Sequence, residues 1–599
     1  MPSNPHLLLC NGVNARARRP RTWESATVTE LATFGPAKNV RLKIADLTDR
    51  MAEKLPDRVR DLVELAALVY AADQSCKRLG GVTLDYGDKW HRTFRFEVAV
   101  RDQAFWSQKK VLDCLTDTLG FLSEDNYEFV FCRIASPPAF QDYLDFKARM
   151  GDPDPVKRVV LFSGGLDSLA GAVEEVLVHK RRVALVSHKP VDHLAKKQRE
   201  LVAEITRRAG DPKLKPVHFP VLANRIGELE GDHTQRTRSF LYASLAAAVA
   251  NYFGLNQVYF YENGVVSINL PLCAQEVGGR ATRTTHPQTL YGYGRLFSMI
   301  MDAPFTVENE FAWETKEDVV RRLTNAGQAD LTKDTLSCSH TRQYTCASPQ
   351  CGMCSQCLSR RVATLGAGLQ HNDPATGYRA EVITDARKKD EDRILAERFV
   401  GAARQVEAMN TVDEFHQKFS GELGRVYPYL GMAAALGAEK LFDLHHRHAQ
   451  QVGKVLLAAM QECAELRRTG QLADTCVVNY AFDAGTKPSS STGSRQGDCS
   501  AQIIEEVKRL NEREQNCIQA LYEKSIIGEN ANNRPSQETL SRWAGYHFDT
   551  TFKNTLSTLV KAGFLSNGRH RGTRGGYFLT AKGERAGAVL VEPVMTSQD

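Results

Sequence analysis

Apolar positions along this chain follow two rhythms, and the places where one gives way to the other divide it. Between about residues 155 and 370, short apolar runs alternate with longer stretches in which apolar positions recur every three or four residues. The runs at 159–162 (VVLF), 183–187 (VALVS), 217–220 and 257–261 (QVYFY) have the length of buried strands. The stretches between them read as helices. Leu169, Ala170, Ala172, Val173, Val176 and Leu177 mark the first; Gln198, Leu201, Val202 and Ile205 mark the second; the alanine-rich 237–253 is the third. Strand and helix in alternation predict an α/β domain over 151–375, built on a doubly wound parallel sheet.

The rhythm differs on either side. In 1–150, residues 94–100 (FRFEVAV) alternate with period two, 127–134 (YEFVFCRI) reads as another strand, and 112–122 as a helix between them. An α+β accessory domain is expected there, with Cys10, Cys76, Cys114 and Cys132 too scattered to be a ligand set. Residues 376–482 are helical in pattern, with Leu395, Phe399, Ala402 and Val406 as one stripe and Phe415, Phe419, Leu423 and Val426 as the next. Leu441, Leu444, Val452, Val455, Leu456 and Met460 make a third. The region is expected to be a scaffold or a homodimer surface, with His445, His446 and His448 on an exposed helix face. Residues 483–500 (DAGTKPSSSTGSRQGDCS) have the composition of a flexible linker.

The first strand-to-helix junction carries the most chemistry. Phe162, Ser163, Gly164, Gly165, Leu166, Asp167 and Ser168 form a tight glycine turn that opens a helix, at the strand edge where open α/β sheets bind ligands. Glycines let the backbone approach an anion closely; the first helical amides and the serine hydroxyls then point donors at it. No lysine closes the turn as in a P-loop. Asp167 can help hold a Mg²⁺ that bridges phosphate oxygens. Arg236 and Arg238 open the 237–253 helix within reach of phosphate. Glu262 and Asn263 follow the fourth strand, where polar groups commonly face the ligand.

Charge and cysteine content narrow the setting. A net charge of +6 over 599 residues argues against a whole-surface nucleic-acid footprint. The opening residues MPSNPHLLLCNG lead to the expectation of no cationic leader, and no apolar stretch reaches membrane-spanning length. A soluble protein of a reducing cytoplasm, with no membrane partner, is the expectation, and clustered members of the 14 cysteines then read as metal ligands. Cys351, Cys354 and Cys357 repeat every third residue, with Cys338 and Cys346 upstream. Four thiolates suit a closed, structural zinc site, with an iron–sulfur cluster as the rival and either upstream cysteine able to be the fourth ligand. Cys273, in LPLC, reads as a packing residue.

Taken together, SGGLDS after a strand, RTRSF at 236–240, TKEDVV at 315–320, TLSC at 335–338 and CGMC at 351–354 resemble the 7-cyano-7-deazaguanine synthases of the ATP pyrophosphatase superfamily. The likeness spans residues 157–365. It implies Cys338, Cys351, Cys354 and Cys357 as the zinc set, ATP and Mg²⁺ as further cofactors, and Asp167, Ser163 and Arg238 as catalytic residues. It implies adenylation of 7-carboxy-7-deazaguanine with release of pyrophosphate, then an amide and a nitrile. Departures are present. Leu270, Pro271, Leu272, Cys273 and Ala274 stand where the family shows Tyr-Pro-Asp-Cys-Arg, and Arg238 and Ser239 replace an Arg-Asn pair. These and the extra length resemble the synthase-like proteins of anti-phage islands, such as Qat and type IV CBASS systems, which implies an amine on a protein or nucleic acid as acceptor. A nucleic-acid thiolase of the same superfamily and a nucleotide-sensing regulator are the alternatives.

Residues 501–599 resemble a winged helix, with helices at 503–524, 536–544 and 551–562 and a closing hairpin. The last helix would be the recognition helix. Arg569, Arg571 and Arg574, beside Gly572, Gly575 and Gly576, would form the wing, for either DNA or a protein partner.

Overall fold

The computed structural model describes residues 5–13, 23–44, 55–78, 91–135, 156–188, 192–225, 236–270, 283–339, 349–483, 510–523, 536–544, 546–547, 549–561, 564–566 and 577–580. They form two compact units, Met1–Phe482 and Asp483–Asp599.

The first unit is mixed α/β with two sheets. One has six strands in the order β10-β9-β6-β7-β8-β3. Its members are β3 (Val40–Ile44), β6 (Arg158–Leu161), β7 (Val183–His188), β8 (Val217–Arg225), β9 (Gln257–Phe260) and β10 (Thr306–Asn309). All neighbours are parallel except β3, which runs antiparallel to β8 on the edge. The four strands expected from the apolar runs are β6 to β9. β10, only TVEN, is too short to show a period, and β3 comes from the distant first segment.

That first segment differs from expectation. The strands at 93–100 and 126–133 and the helix between them are present, yet the sheet they join, in the order β2-β1-β4-β5, is parallel at every pair. It comprises β1 (Pro5–Cys10), β2 (Thr27–Leu31), β4 (Thr93–Val100) and β5 (Asn126–Arg133), so this region is α/β and not α+β. The reason lies in β1, PHLLLC, whose last five residues are all buried. A strand covered on both faces is at home in a parallel sheet.

Nor does the segment stand apart. One hydrophobic core runs through Leu8 and Phe96 of the four-stranded sheet, Leu65 of α1 (Asp57–Ser75), and Phe219 and Val159 of the six-stranded sheet. A buried ion cluster reinforces it: Arg92 bonds Asp73 at 2.6 Å and Asp125 at 2.7 Å. Asp73 accepts in turn from Thr237 N at 2.9 Å, at the start of α5 (Arg238–Tyr252). The first segment thereby sets where α5 begins.

Helix α3 (Leu166–Val173) lies closely on the end of β9. A Cβ on Gly171 would fall 2.1 Å from Tyr261 Cγ, and the Tyr261 hydroxyl donates to Glu175 at 2.8 Å. Gly171→Ala is therefore predicted to destabilise the first unit by about 1–3 kcal/mol, the usual penalty for overpacking. A lower urea midpoint with an unchanged slope would show it; an unchanged midpoint would refute the close approach.

The helical region comprises α9 (Asp390–Glu407), α10 (Val412–Leu423) and the 35-residue α11 (Ala434–Arg468). Phe415, Phe419, Leu423 and Val426 are buried as expected, but the buried face of α9 is Ala396, Val400, Ala403 and Val406. The stripe is turned because Ala396, Val400 and Ala403 pack into a core shared with Val452 and Leu456 of α11. The histidines also depart from expectation. His445 is buried against Phe415, its Nδ1 2.8 Å from Leu441 O, and His448 lies edge-on to Phe399. His446, half-buried, stacks on Phe442. Apolar rings around them outweigh the pull of solvent on a neutral imidazole.

Burial lowers the pKa of His6, His218, His445 and His448 to about 4 and that of His286 to about 3. The unfolded chain takes up these protons near pH 6.5 and the native one only near pH 3–4, so stability present above pH 6.5 is lost as pH falls below it. Melting temperature is predicted to fall between pH 6.5 and 4. His445→Phe should flatten that slope; an equally steep slope in the variant would count against this account.

In the second unit Glu512–Glu523, Gln537–Trp543 and Thr550–Lys561 are helices and Leu565–Ser566 pairs antiparallel with Phe578–Leu579. Ile518, Leu521, Leu540, Phe552, Leu556 and Leu559 form its core. Arg569, Arg571, Arg574 and the glycines beside them lie outside the described residues, as do the 483–500 linker beyond Asp483 and the expected helical residues 503–509.

Candidate functional site

The turn between β6 and α3 is built by hydrogen bonds that its own sequence supplies. Phe162, fully buried, extends β6 by donating its N–H to Val186 O at 2.8 Å. Gly164 then takes φ = +82°, where a side chain would be strained and would press on Gln198 Cγ at 3.1 Å. Ser163 Oγ accepts from Gly165 N at 3.2 Å and lies 3.1 Å from Ser168 Oγ, which donates to Gly165 O. Gly165 is the N-cap of α3 and has no side chain to close it. The leading amides of that helix thus face outward, in the arrangement that favours an anion with several oxygens.

Asp167 sits just inside the helix and is 8 % exposed. Two elements converge on its carboxylate. Lys316 Nζ lies 2.8 Å from Oδ1. Asn263 Nδ2 donates to Oδ2 at 3.0 Å, and its backbone N lies 3.4 Å from the same atom. Asn263 in turn caps the short helix Gly264–Ile268 through Val266 N. Glu262, one residue earlier, accepts a short hydrogen bond from Thr285 Oγ1. Burial first, and then the neighbouring Asp167, raise the pKa of Glu262, while Lys316 and Arg238 oppose the shift. The two carboxylates feel each other's charge, and carboxylate oxygens are the donors a hard divalent cation such as Mg²⁺ takes.

The structure therefore gathers Phe162, Ser163, Gly164, Gly165, Leu166, Asp167, Ser168, Glu262 and Asn263 at one sheet edge. Arg238 is exposed at the first residue of α5, electrostatically opposite Glu262. Arg236 turns elsewhere. It is buried beside Arg78, and burial with that like charge draws its pKa down to about 10. Cys273 and its neighbours Pro271, Leu272 and Ala274 lie outside the described residues.

Lys316 was not singled out by its sequence. It is the first residue of α7 (Lys316–Asn325), opened by a full capping box in which Thr315 and Asp318 bond each other's backbone. A cation at a helix N-terminus opposes the helix dipole. The Asp167 carboxylate offsets that here, and the TKED pattern was the available signal. Gln198 was also missed: its Nε2 donates to Ser163 O at 2.9 Å and tethers the turn to α4 (Asp192–Ala209).

The cysteines form the second centre. Cys338, Cys351, Cys354 and Cys357 are buried, with all four Sγ atoms within 4.8 Å of one another. Sγ separations of 3.9 Å (Cys338–Cys354) and 3.7 Å (Cys351–Cys357) match the ~3.8 Å edge of a tetrahedron with Zn–S bonds of about 2.3 Å. Met353 N and Cys354 N each lie 3.3 Å from Cys351 Sγ, and Gly352, at φ = +79°, would drive a Cβ to within 1.9 Å of Ala380 O. This cage can hold a metal such as zinc, and with four protein ligands it leaves no open position. Cys346 lies outside the described residues.

The two centres are joined. Leu336, two residues before Cys338, donates its N–H to Gly164 O at 3.1 Å. Arg360 of α8 (Ser355–Gly366) holds the same segment: it bonds Thr335 Oγ1 at 2.5 Å and Thr332 O at 2.8 Å while paired with Asp373 at 2.9 Å. The cysteine cluster, a buried arginine and the glycine turn therefore form one connected structure.

No protein-family model matches this chain, and no curated protein matches it. The chemistry of the site has to be read from its own residues. No helix among the described residues is long and apolar enough to cross a membrane.

Proposed function

We propose that this protein uses ATP to adenylate the carboxylate of a 7-deazaguanine base, releases pyrophosphate, and passes the acyl group to an amine. One observation carries the reading: a buried aspartate, held by a lysine and an asparagine, stands at the uncapped start of a helix that follows a glycine turn. That is a receptor for a polyphosphate and its counter-ion. The six-stranded sheet is read as doubly wound, with the turn at its carboxyl edge. The small C-terminal unit is read as a winged helix.

The substrate carboxylate attacks the α-phosphorus of ATP, and the bond to the bridging oxygen breaks with its electron pair leaving on pyrophosphate. The amides of Leu166, Asp167 and Ser168 and the hydroxyl of Ser163 bind the departing oxygens. Lys316 stands where it can neutralise charge developing there, and Arg238 guards the mouth. Asp167 and Glu262 would hold Mg²⁺, which would supply charge neutralisation to the phosphates. The amine then attacks the acyl carbon, AMP leaves, and the amine proton passes to solvent. No protein nucleophile is required. The metal held by the four cysteines is a structural zinc in this reading, and the resemblance to defence-island proteins favours a macromolecular amine as acceptor.

The test is exchange of labelled pyrophosphate into ATP with 7-carboxy-7-deazaguanine supplied, followed by mass spectrometry of small-molecule and protein products. Exchange that depends on the acid supports the proposal. Background exchange with this acid would sink it.

A further inference from the structure

The four-stranded sheet has a carboxyl edge of its own, remote in sequence from the phosphate turn. In the order β2-β1-β4-β5, the chain leaves β1 for β2 on one side and leaves β4 for β5 on the other. The carboxyl ends of β1 and β4 thus flank a point where connections diverge, the place where open parallel sheets bind ligands. The chain leaves β1 through Asn11 (φ = +58°) and Gly12 (φ = +83°), where a Cβ built on Gly12 would meet no atom of the described residues within 4 Å.

Asn11 supplies the second observation. It is 7 % exposed, and its Oδ1 accepts from both Thr33 N and Thr33 Oγ1 at 3.0 Å, beyond the end of β2. Oδ1 is thereby committed to Thr33, and Nδ2 has no hydrogen-bond partner among the described residues. A buried amide donor left unsatisfied costs about 1–3 kcal/mol. At the end of β4, Asp61 and Glu64 are paired with Arg101, and Asp102 with Arg58. Each of these carboxylates has a guanidinium partner, Arg101 serving both Asp61 and Glu64. In sequence, Gly12 is followed by Arg16, Arg18, Arg19 and Arg21 with no acidic residue among 12–22. We infer that this edge is a second ligand site, in which Asn11 Nδ2 and the Gly12 turn bind a phosphate group.

A phosphate can come from a mononucleotide or from a nucleic-acid strand, and the experiment separates them. Binding of labelled inorganic phosphate to the full chain is measured by equilibrium dialysis for the wild type, Asn11→Asp and Asn11→Gly. Asp keeps the oxygen that Thr33 needs and replaces the donor with a repelling oxygen. Gly keeps the left-handed backbone and deletes the amide, so one variant survives if the other misfolds. Tenfold or greater weakening of one class of phosphate sites, with pyrophosphate exchange unchanged, is the expected result. Competition by ADP assigns the site to mononucleotides, and competition by a short oligothymidylate to strands. If the phosphate turn does not bind phosphate, wild type still shows one class of sites that Asn11→Asp removes, so the two readings fail separately. Isotherms of both folded variants superimposable on wild type would overturn the inference.

Discussion

Asp167→Asn is expected to slow ATP–pyrophosphate exchange by about 10²–10³-fold, the range for removing one preorganised electrostatic group from an active site. Asn has nearly the volume of Asp and still offers Asn263 an acceptor, so the loss is one of charge. Lys316, with a side chain only 6 % exposed, then lacks its carboxylate, and a metal has one anionic ligand fewer. Two controls separate chemistry from folding. Exchange is normalised to folded protein, measured as the amplitude of the melting transition. Lys316→Met is made alone and together with Asp167→Asn: residues that act as a unit give a double variant little worse than either single. If normalised exchange in Asp167→Asn stayed within twofold of wild type, the carboxylate would be merely a partner for Lys316.

Zinc removal is the second large effect. Cys354→Ser should abolish metal binding and lower the melting temperature sharply, because closed zinc sites contribute roughly 10–16 kcal/mol of apparent binding energy, comparable with the whole stability of a domain. The same core holds the four cysteines, Leu358 of α8, Val400 of α9 and Val452 of α11, so these helices should lose packing together. The loss should also reach the glycine turn, since Leu336, two residues before Cys338, donates to Gly164 O. Exchange is therefore expected to fall on chelation before the first unit unfolds globally, and to return with added zinc. Atomic absorption would report one zinc per chain in the wild type. A brown protein that absorbs visible light would point to an iron–sulfur cluster, and a metal-free chain with wild-type melting and exchange would refute the coupling.

Local pattern made much of this legible. The strands of the large sheet outside β3 and β10 are short buried runs, and a buried run needs no neighbour to be visible. The glycine turn and the Cys-x₂-Cys-x₂-Cys spacing are local too: their geometry is largely set by residues a few positions apart. What escaped was set by distant partners. Lys316 lies 149 positions after Asp167 (316 − 167 = 149), and its role follows from a 2.8 Å ion pair that no period announces. The histidines of α11 look like a solvated face until Phe415 and Phe399 arrive from other helices. The alternation of FRFEVAV marks a strand and leaves its parallel pairing unseen, because a strand's period reports the burial of its side chains and not the direction of its neighbours.

By itself, then, the sequence determined the local units of this protein: the strand–turn–helix junction, the cysteine spacing and the helices, whose dihedrals and spacings are short-range properties. Tertiary structure alone decided that the first segment shares a core with the rest, that Arg236 is buried while Arg238 is exposed, and that the cysteine clasp leans on the glycine turn. Such choices depend on burial and on charge pairing between residues far apart in the chain, and those energies exist only once the chain has closed on itself.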